Sequence, residues 1–300
     1  MLDFTKIRTI PIRQRRNKLK LNEIINPENN NIEPLNSNNF NELIERIKKA
    51  IDENKHIILM IGAHVIKTGM SLLIIDLMKK GIIKHIAMNG AGPIHDFEIA
   101  LIGETSEYVE QTIEDGTFGM IEETGKMLND AIREGAENNH GMGYAIGKKI
   151  AELNLPNKEY SILYWAYKLS IPLTVHVAIG TDIIHQHPSC DGSSIGKTSY
   201  NDFKIFADSV SRLEGGILLN IGCAVVLPEV FLKALTIARN LGFNVKNITT
   251  ANLDMLDHYR PRQNVATRPT SLGGKGFIII GAHQVTIPSL HKRLTENMSN

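Results

Sequence analysis

The sequence predicts a single α/β domain with a doubly wound, mostly parallel sheet and helices on both faces, a Rossmann-like arrangement. Short apolar runs of strand length recur along the chain, and most of them end at glycine. Segments with helical spacing alternate with these runs, as expected for strands joined by crossover helices. The 300 residues are 42% hydrophobic, with no internal repeat and no break in composition that would mark a second domain, which favours one large core.

The first regular elements form a βαβ unit. Residues 40–54 have the spacing of an amphipathic helix, and the apolar run at 56–62 predicts a buried strand that ends at glycine. Residues 70–80 predict the crossover helix, and residues 83–90 predict the second strand. A short crossover between apolar runs favours parallel pairing of these two strands.

The rest of the chain repeats this alternation. Further helices are predicted at residues 94–103, at 120–151 as two helices broken near 140–143, and at 161–170, 202–213 and 228–241. Further strands are predicted at residues 173–180, 216–222, 245–250 and 276–281. At least six strands in this alternation predict a parallel sheet that is covered on both sides.

The first 39 residues have a different character. They contain a basic stretch around Arg13, Arg15 and Arg16, followed by an Asn-rich run at 26–39. This composition predicts an extended arm (1–39) before the domain (40–300), and we expect the arm to be solvated or to pack on a neighbouring subunit. The alternative, contact with nucleic acid, is less favoured because no aromatic residues are interleaved with the basic ones.

Charge and cysteine content exclude several classes of partner. The 33 basic and 32 acidic residues give a net charge of +1, so no global field attracts nucleic acid or an anionic membrane. Cys190 and Cys223 are too few for a disulfide framework and match no zinc motif. Without an apolar run long enough to span a membrane, the protein is expected to be cytoplasmic.

Small residues follow the predicted strands at nearly every carboxyl end, which is where ligands bind in open parallel sheets. The positions concerned are Gly62, Ala63 and His64; Asn89, Gly90 and Ala91; Asp182; Gly222, Cys223 and Ala224; Thr250 and Ala251; Gly281 and Ala282. Tight strand-to-helix turns explain any one of them, but together they favour a long, flat ligand such as a dinucleotide. The segment that begins at Gly90 lacks the third glycine of the usual dinucleotide fingerprint.

Titratable residues lie near the same ends and are candidates for moving protons. We select His95, His185, His187 and His283, because histidine titrates close to working pH, together with the carboxylates Asp182 and Glu229. A zinc site that combines His176 with His185 and His187 is an alternative. A pair spaced two residues apart in a loop is weak support for such a site, so no metal is predicted.

An arginine-rich loop follows the strand predicted at 245–250. It contains His258, Tyr259, Arg260, Arg262 and Arg268, and its two prolines stiffen the backbone. Guanidinium groups bind carboxylate or phosphate through paired hydrogen bonds, so these residues are candidate substrate ligands. The alternative is a surface loop whose arginines pair with acidic neighbours.

The order of these turns resembles that of the deoxyhypusine synthase family, from about residue 57 to the end of the sequence. The similar segments are Gly62-Ala63-His64, Asn89-Gly90-Ala91-Gly92 with His95-Asp96, Thr181-Asp182 or Asp191-Gly192, and Gly222-Cys223-Ala224-Val225-Val226. The resemblance implies NAD bound near a subunit boundary, usually in a homotetramer. It also implies that Asp96 and Asp182 belong to the cofactor site.

The part of the family motif that carries the chemistry departs from this resemblance. Glu229 follows the glycine-containing turn where the family has a histidine, and Pro269 replaces the imine-forming lysine. Arg262 stands where the family has a carboxylate for spermidine, which reverses the favoured substrate charge. We therefore expect an NAD-dependent oxidoreductase or transferase for a small anionic substrate. The alternatives are a polyamine aminobutyl transferase of the deoxyhypusine or homospermidine synthase type, and a non-catalytic NAD-binding regulator.

Overall fold

The computed structural model describes residues 2–296, and its strands form a large sheet and a small one. The strands are β1 (Asn17–Lys20), β2 (Ile57–Ile61), β3 (His85–Asn89), β4 (Glu104–Glu107), β5 (Leu173–His176), β6 (Ile217–Ile221), β7 (Thr249–Asp254) and β8 (Lys275–Ile280). The six-stranded sheet has the order β5-β3-β2-β6-β7-β8, and every neighbouring pair in it is parallel. The predicted doubly wound α/β fold is thus confirmed.

Helices connect these strands and cover both faces. They are α1 (Asn38–Asp52), α2 (Ala63–Lys67), α3 (Ser71–Lys79), α4 (Ala91–Ile102), α5 (Val109–Thr112), α6 (Glu122–Glu137), α7 (Met142–Glu152), α8 (Ile162–Leu169), α9 (Gly192–Ser211), α10 (Val226–Asn240), α11 (Tyr259–Pro261) and α12 (His283–Thr295). Short 3₁₀ turns lie at Phe4–Lys6, Ile12–Gln14, Leu21–Glu23, Pro27–Asn29, Lys158–Tyr160 and Ile183–His185, and a π-helical turn spans Arg262–Thr267. Within residues 2–296, no helix combines the length and apolar character needed to cross a membrane.

The alternation of side chains along β2 divides the core into two layers. Ile57, Leu59 and Ile61 belong to the larger cluster, which includes residues of α1, α3, α4, α8 and α12. Ile58 and Met60 belong to the cluster on the other face, with residues of α9 and α10. Because both faces of β2 are buried, its sequence is apolar throughout, which is the signal that marked it as a strand.

The strand order of the large sheet reverses between β2 and β6. From β2 it proceeds to β3 and β5 on one side, then crosses over to β6, β7 and β8 on the other. Such a topological switch point leaves a crevice beyond the carboxyl ends of the two central strands. The fold therefore places a crevice between the segments that follow Ile61 and Ile221.

One strand and one helix differ from the predictions. The strand predicted at 245–250 is instead β7, Thr249–Asp254, and its buried Asn252 carries the Oδ1 that accepts a hydrogen bond from the Asn220 side chain at 2.7 Å. That hydrogen bond gives one polar atom of each asparagine a partner inside the sheet, whereas the apolar pattern counted such residues against a strand. The helix α9 begins at Gly192, ten residues before the predicted start, because the Asp191 side chain accepts hydrogen bonds from the amides of Ser193 and Ser194.

The first 39 residues also differ from the predicted solvated arm. Strand β1 pairs antiparallel with β4, and Leu19 and Ile12 are buried against the domain. The Asn30 side chain donates to the carbonyl oxygen of Pro288 in α12 at 2.9 Å. The N-terminal segment is therefore packed on its own chain.

Candidate functional site

The two strands at the switch point end in glycines whose backbones are in direct contact. A Cβ on Gly62 would lie 1.9 Å from the carbonyl oxygen of Gly222, and one on Gly222 would lie 2.6 Å from Nε2 of His283. Gly222 also has a positive φ of 66°, which side chains other than glycine rarely adopt. The structure thus brings together Gly62, Gly222 and His283, three of the residues selected from the sequence.

Titratable groups surround this contact. The imidazole of His283 is almost fully buried, and burial lowers its pKa, while Asp254 opposes that shift and His64 adds to it. His64 itself is exposed, and burial of part of its ring, together with Lys67, lowers its pKa. Asp254 was missed from the sequence because the strand that ends in it was predicted too early.

The remaining small residues of the crevice have mostly structural contacts. Sγ of Cys223 is buried and accepts the amide of Leu227 at 3.5 Å, so it caps the first turn of α10. The carbonyl of Ala282 accepts the amides of Val285 and Thr286 at the start of α12. Ala63 is buried, Ala224 is half-buried after β6, and the amide of Gly281 donates to the carbonyl of Asp254 at 3.0 Å.

A cavity of about 200 Å³ lies beside the crevice, above the ends of β3 and β5. Its wall includes Arg15 and Lys18 from the N-terminal segment, Lys67 from α2, His95 from α4 and Asp182 from the loop after β5. Ala91 also lines it. The N-terminal segment therefore completes a site that the rest of the domain leaves open.

A buried network fixes the tautomer of His95. The hydroxyl of Thr105 donates to Oε2 of Glu98 at 2.6 Å, so it accepts the hydrogen bond from Nδ1 of His95 at 2.8 Å. Arg15 holds the same Glu98 carboxylate through two hydrogen bonds of 2.9 and 2.7 Å. Burial lowers the pKa of His95 to about 4, so at neutral pH its Nε2 carries a lone pair that can accept a proton.

Asp182 supplies a carboxyl group with the opposite tendency. Its side chain is buried against Gly90, whose Cβ would lie 1.9 Å from Oδ2, and burial raises the pKa of Asp182 to about 6. Oδ2 has no hydrogen-bond partner within residues 2–296, and the same holds for the buried Oδ1 of Asn89. Buried polar atoms without partners are rare in proteins and are candidates for binding a ligand.

His185 lies next to this carboxyl. Its Nδ1 accepts the backbone amides of Gly180 and Asp182 at 3.1 and 3.2 Å, so in the neutral ring Nε2 carries the hydrogen. Nε2 is 3.9 Å from Oδ2 of Asp182, too far for a direct hydrogen bond. A ligand oxygen between these two groups would give both a partner.

Four residues selected from the sequence lie elsewhere. Asp96 is fully buried and accepts the Ile162 and Leu163 amides and the Ser161 hydroxyl at the start of α8, so its side chain already has partners. Thr250 and Ala251 are not at a carboxyl end; both are fully buried near the start of β7, and the Thr250 hydroxyl donates to the carbonyl of Val265. The prediction that Thr250 and Ala251 follow the end of a strand was wrong, because the polar residues of β7 were not recognised as part of the strand. His187 is buried and packs on Gly125 of α6.

The arginine-rich loop has the arrangement that the alternative interpretation describes. Arg260 lies 3.5 Å from Glu229, and Arg262 forms an ion pair with Asp257. Arg268 donates to Oδ1 of Asn264 at 2.7 Å. His258 is half-buried and Tyr259 exposed, and Glu229 also pairs with Lys233. These arginines have partners, and the Glu229 carboxylate is held by cations.

Residues that sequence reasoning missed are Lys67 and Asp254, while Arg15 and Lys18 had been assigned to the arm. No sequence pattern distinguishes Lys67, because it reaches the cavity only through the end of the short helix α2. Metal binding has no support in the geometry: within residues 2–296, no group of three or more His, Cys, Asp or Glu side chains is arranged to hold an ion.

Comparison with solved structures places the fold among known ones. A protein from Methanococcus maripaludis S2 provisionally described as LOR/SDH is 17% identical, with a TM-score of 0.51, over 86% of this chain and 67% of that chain. AgrE in complex with ornithine and NAD+ is 12% identical, with a TM-score of 0.53, over 89% of this chain and 34% of that chain. An Entamoeba histolytica protein provisionally described as a deoxyhypusine synthase is 12% identical, with a TM-score of 0.53, over 86% and 88%.

This similarity extends to the fold and not to the sequence. The chain spans about a third of AgrE (34%) and of ArgZ (31%), a cyanobacterial arginine dihydrolase. No protein-family model and no curated protein matches the sequence. The fold is thus of the Rossmann-like, deoxyhypusine synthase-like type, as the resemblance implied.

Proposed function

We propose that the protein is an NAD-dependent oxidoreductase or transferase that acts on a small anionic substrate. The observation that carries this proposal is the switch point between β2 and β6, where two glycine-ended strands meet at Gly62 and Gly222. In open α/β sheets this crevice is where dinucleotides bind. A structure of AgrE, which shares the fold, contains ornithine and NAD+, and this supports the same choice of cofactor.

The residues present fit a dinucleotide. Gly62 and Gly222 would let the backbone approach it closely, and Asn89 offers a buried carbonyl oxygen without a partner. Ala224 and His64 would line the crevice on either side of the switch point. The nicotinamide ring would supply the ability to accept or donate a hydride.

The cavity next to this crevice would hold the substrate. His95 is neutral, so the lone pair on its Nε2 would accept a hydrogen bond from the substrate, and Asp182, whose pKa is raised to about 6, would exchange a proton with the substrate. His185 would orient the group between its Nε2 and Asp182. Lys18 adds positive charge to the wall, which favours an anion here over the arginine-rich loop.

Thermal unfolding with and without NAD+ and NADH tests the cofactor. We expect either nucleotide to raise the melting temperature, because a ligand that binds only the folded state stabilises it. Ala224→Glu places bulk and negative charge in the crevice and should abolish this shift. Thr236→Glu adds the same charge on an exposed turn of α10 and should leave the shift unchanged. Absence of a shift with either nucleotide would contradict the proposal.

Two other functions are separable by their products. Release of diaminopropane from spermidine and NAD+ would favour a polyamine aminobutyl transferase. Nucleotide binding with no turnover across a library of small metabolites would favour a non-catalytic NAD-binding regulator. Arg260 and Arg262 are paired with Glu229 and Asp257, so the loop has little net charge. The loop therefore favours neither of these alternatives.

The cytoplasmic location and the homotetramer stay predictions. Exposed apolar side chains near the carboxyl ends of β6 and β7 support a subunit contact there, namely Val225, Leu256 and Tyr259. Light scattering of the purified protein would give the oligomeric state. A monomer at micromolar concentration would contradict a homo-oligomer.

A further inference from the structure

Lys67 has a basic side chain at the edge of the small cavity. It is the last residue of α2 and half-buried, and it lines the cavity with His95 and Asp182. Across residues 2–296 it forms no ion pair, whereas Arg15 in the same wall is held by Glu98 and lies 3.8 Å from Glu107. Within residues 2–296 the fold thus pairs Arg15 with a buried carboxylate and places Lys18 3.7 Å from the exposed Glu110, but gives Lys67 no carboxylate partner.

The surroundings of Lys67 favour the uncharged amine. Burial lowers the pKa of Lys67, and the nearby cation Lys18 lowers it further. A lysine that is desolvated and next to another cationic group is the kind of amine that reacts with carbonyl carbon near neutral pH. The cavity also provides an acid, the carboxyl of Asp182. Its Oδ2 has no hydrogen-bond partner within residues 2–296.

We propose that Lys67 forms an imine with the carbonyl carbon of a small oxo acid bound in this cavity. The lone pair of Nζ attacks the carbonyl carbon and gives a carbinolamine. In that addition a proton passes from the nitrogen to the carbonyl oxygen. The carboxyl of Asp182 then protonates the hydroxyl, and water leaves as the C=N bond forms, which gives a protonated imine and the carboxylate of Asp182. Lys18 stays cationic and pairs with the carboxylate of the substrate. The inference rests on the proposed function in that it takes this cavity as the substrate site.

Reductive trapping with glyoxylate tests the imine. The protein is incubated at pH 7 with glyoxylate and cyanoborohydride, which reduces an imine to a stable secondary amine, and modified lysines are identified by peptide mass spectrometry. We expect carboxymethylation of Lys67 at least tenfold faster than that of exposed lysines such as Lys49. Lys67→Arg keeps the positive charge and should lose this fast modification.

Lys168→Arg is the matched control, since it makes the same substitution at an exposed position of α8 outside the cavity and should retain fast labelling of Lys67. Labelling of Lys67 at the rate of exposed lysines would overturn the inference, as would a fast label that persists in Lys67→Arg. The shift in melting temperature with NAD+ is measured on the same samples. A missing shift with fast labelling would overturn the cofactor proposal alone, and a shift with slow labelling would overturn the imine alone.

Discussion

Charged residues have different surroundings in the two halves of the carboxyl edge of the large sheet. Above β2, β3 and β5, a cavity is lined by Lys67, which forms no ion pair within residues 2–296, and by Asp182, whose Oδ2 has no hydrogen-bond partner among those residues. Above β6 and β7, Arg260 and Arg262 are exposed and lie next to Glu229 and Asp257. The half above β6 and β7 has the more conspicuous sequence motif. The half above β2, β3 and β5 has Lys67 and Asp182, whose pKa values are shifted by burial.

This contrast shows why a concentration of charge in the sequence is a poor guide to chemistry. An exposed ion pair between an arginine and a carboxylate contributes little to stability, because water screens both charges. A carboxyl or amine enclosed by the fold loses hydration, and its proton affinity shifts as a result. Four substitutions test this contrast between the two halves. They are ordered from the largest expected loss of unfolding free energy to the smallest.

Replacing Arg15 by Ala should have the largest effect. The change leaves the carboxylate of Glu98 buried without its bidentate partner, which typically costs about 3–5 kcal/mol of unfolding free energy. Arg13→Ala removes an exposed arginine two residues away and serves as the control. Denaturant unfolding measures both. Equal, small losses for the two variants would mean that the cavity wall is not as tightly built as its hydrogen bonds indicate.

Replacing Gly62 by Ala tests the boundary between the two halves. The new methyl group would lie 1.9 Å from the carbonyl oxygen of Gly222, so the strand ends must separate, at a cost of about 3 kcal/mol. The shift in melting temperature with NAD+ should disappear as well. Gly192→Ala, at the exposed first residue of α9 with no atom near the new methyl, should be neutral or slightly stabilising. An unchanged Gly62→Ala protein would rule out a closed contact at the switch point.

The pH dependence of stability tests the buried carboxyl of Asp182. Its pKa is about 6 in the folded protein against an ordinary value of 3.8, so between these values the folded state keeps a proton that the unfolded state has released. Stability from this group is therefore lost as pH rises from about 4 to about 6. Relative to Asp182→Asn, the wild type should lose on the order of 2 kcal/mol over that range in urea unfolding. A difference that stays constant or rises with pH would contradict the raised pKa.

Replacing Arg262 by Ala should have the smallest effect. Its ion pair with Asp257 is exposed, with about half of the arginine side chain accessible to solvent, so less than about 1 kcal/mol of stability should be lost. The NAD+ shift should not change. A loss comparable with that of Arg15→Ala, or a large rise in the KM of an identified substrate, would restore the arginine-rich loop as the anion site.

The sequence predicted the elements whose residues are buried on all sides. Apolar runs ending at glycine located β2 and β6, and with them Gly62 and Gly222 at the crevice. The position of β7 was missed because its buried Asn252 accepts a hydrogen bond from Asn220 of β6, a tertiary pairing that no local pattern contains. The pairing of β1 with β4 was missed for a related reason, since both strands are short and rich in polar residues.

The candidate site was predicted less completely than the fold. His95 and Asp182 were selected as polar residues after strands, but their proton affinities depend on burial, which emerges only from packing. Arg15 and Lys18 reach the cavity through a segment that looked solvated, and Lys67 lacks any motif. Residues brought together from distant parts of the chain leave no trace in sequence spacing.

The pairing of β1 with β4 has a consequence for how the cavity opens. A two-stranded sheet outside the main sheet is held by few hydrogen bonds, and such units exchange their amide protons more readily than central strands do. Transient detachment of β1 would withdraw Arg15 and Lys18 together and expose the cavity while the parallel sheet stays intact. Slower hydrogen exchange across Asn17–Lys20 would then report that the cavity is filled, whatever the ligand is.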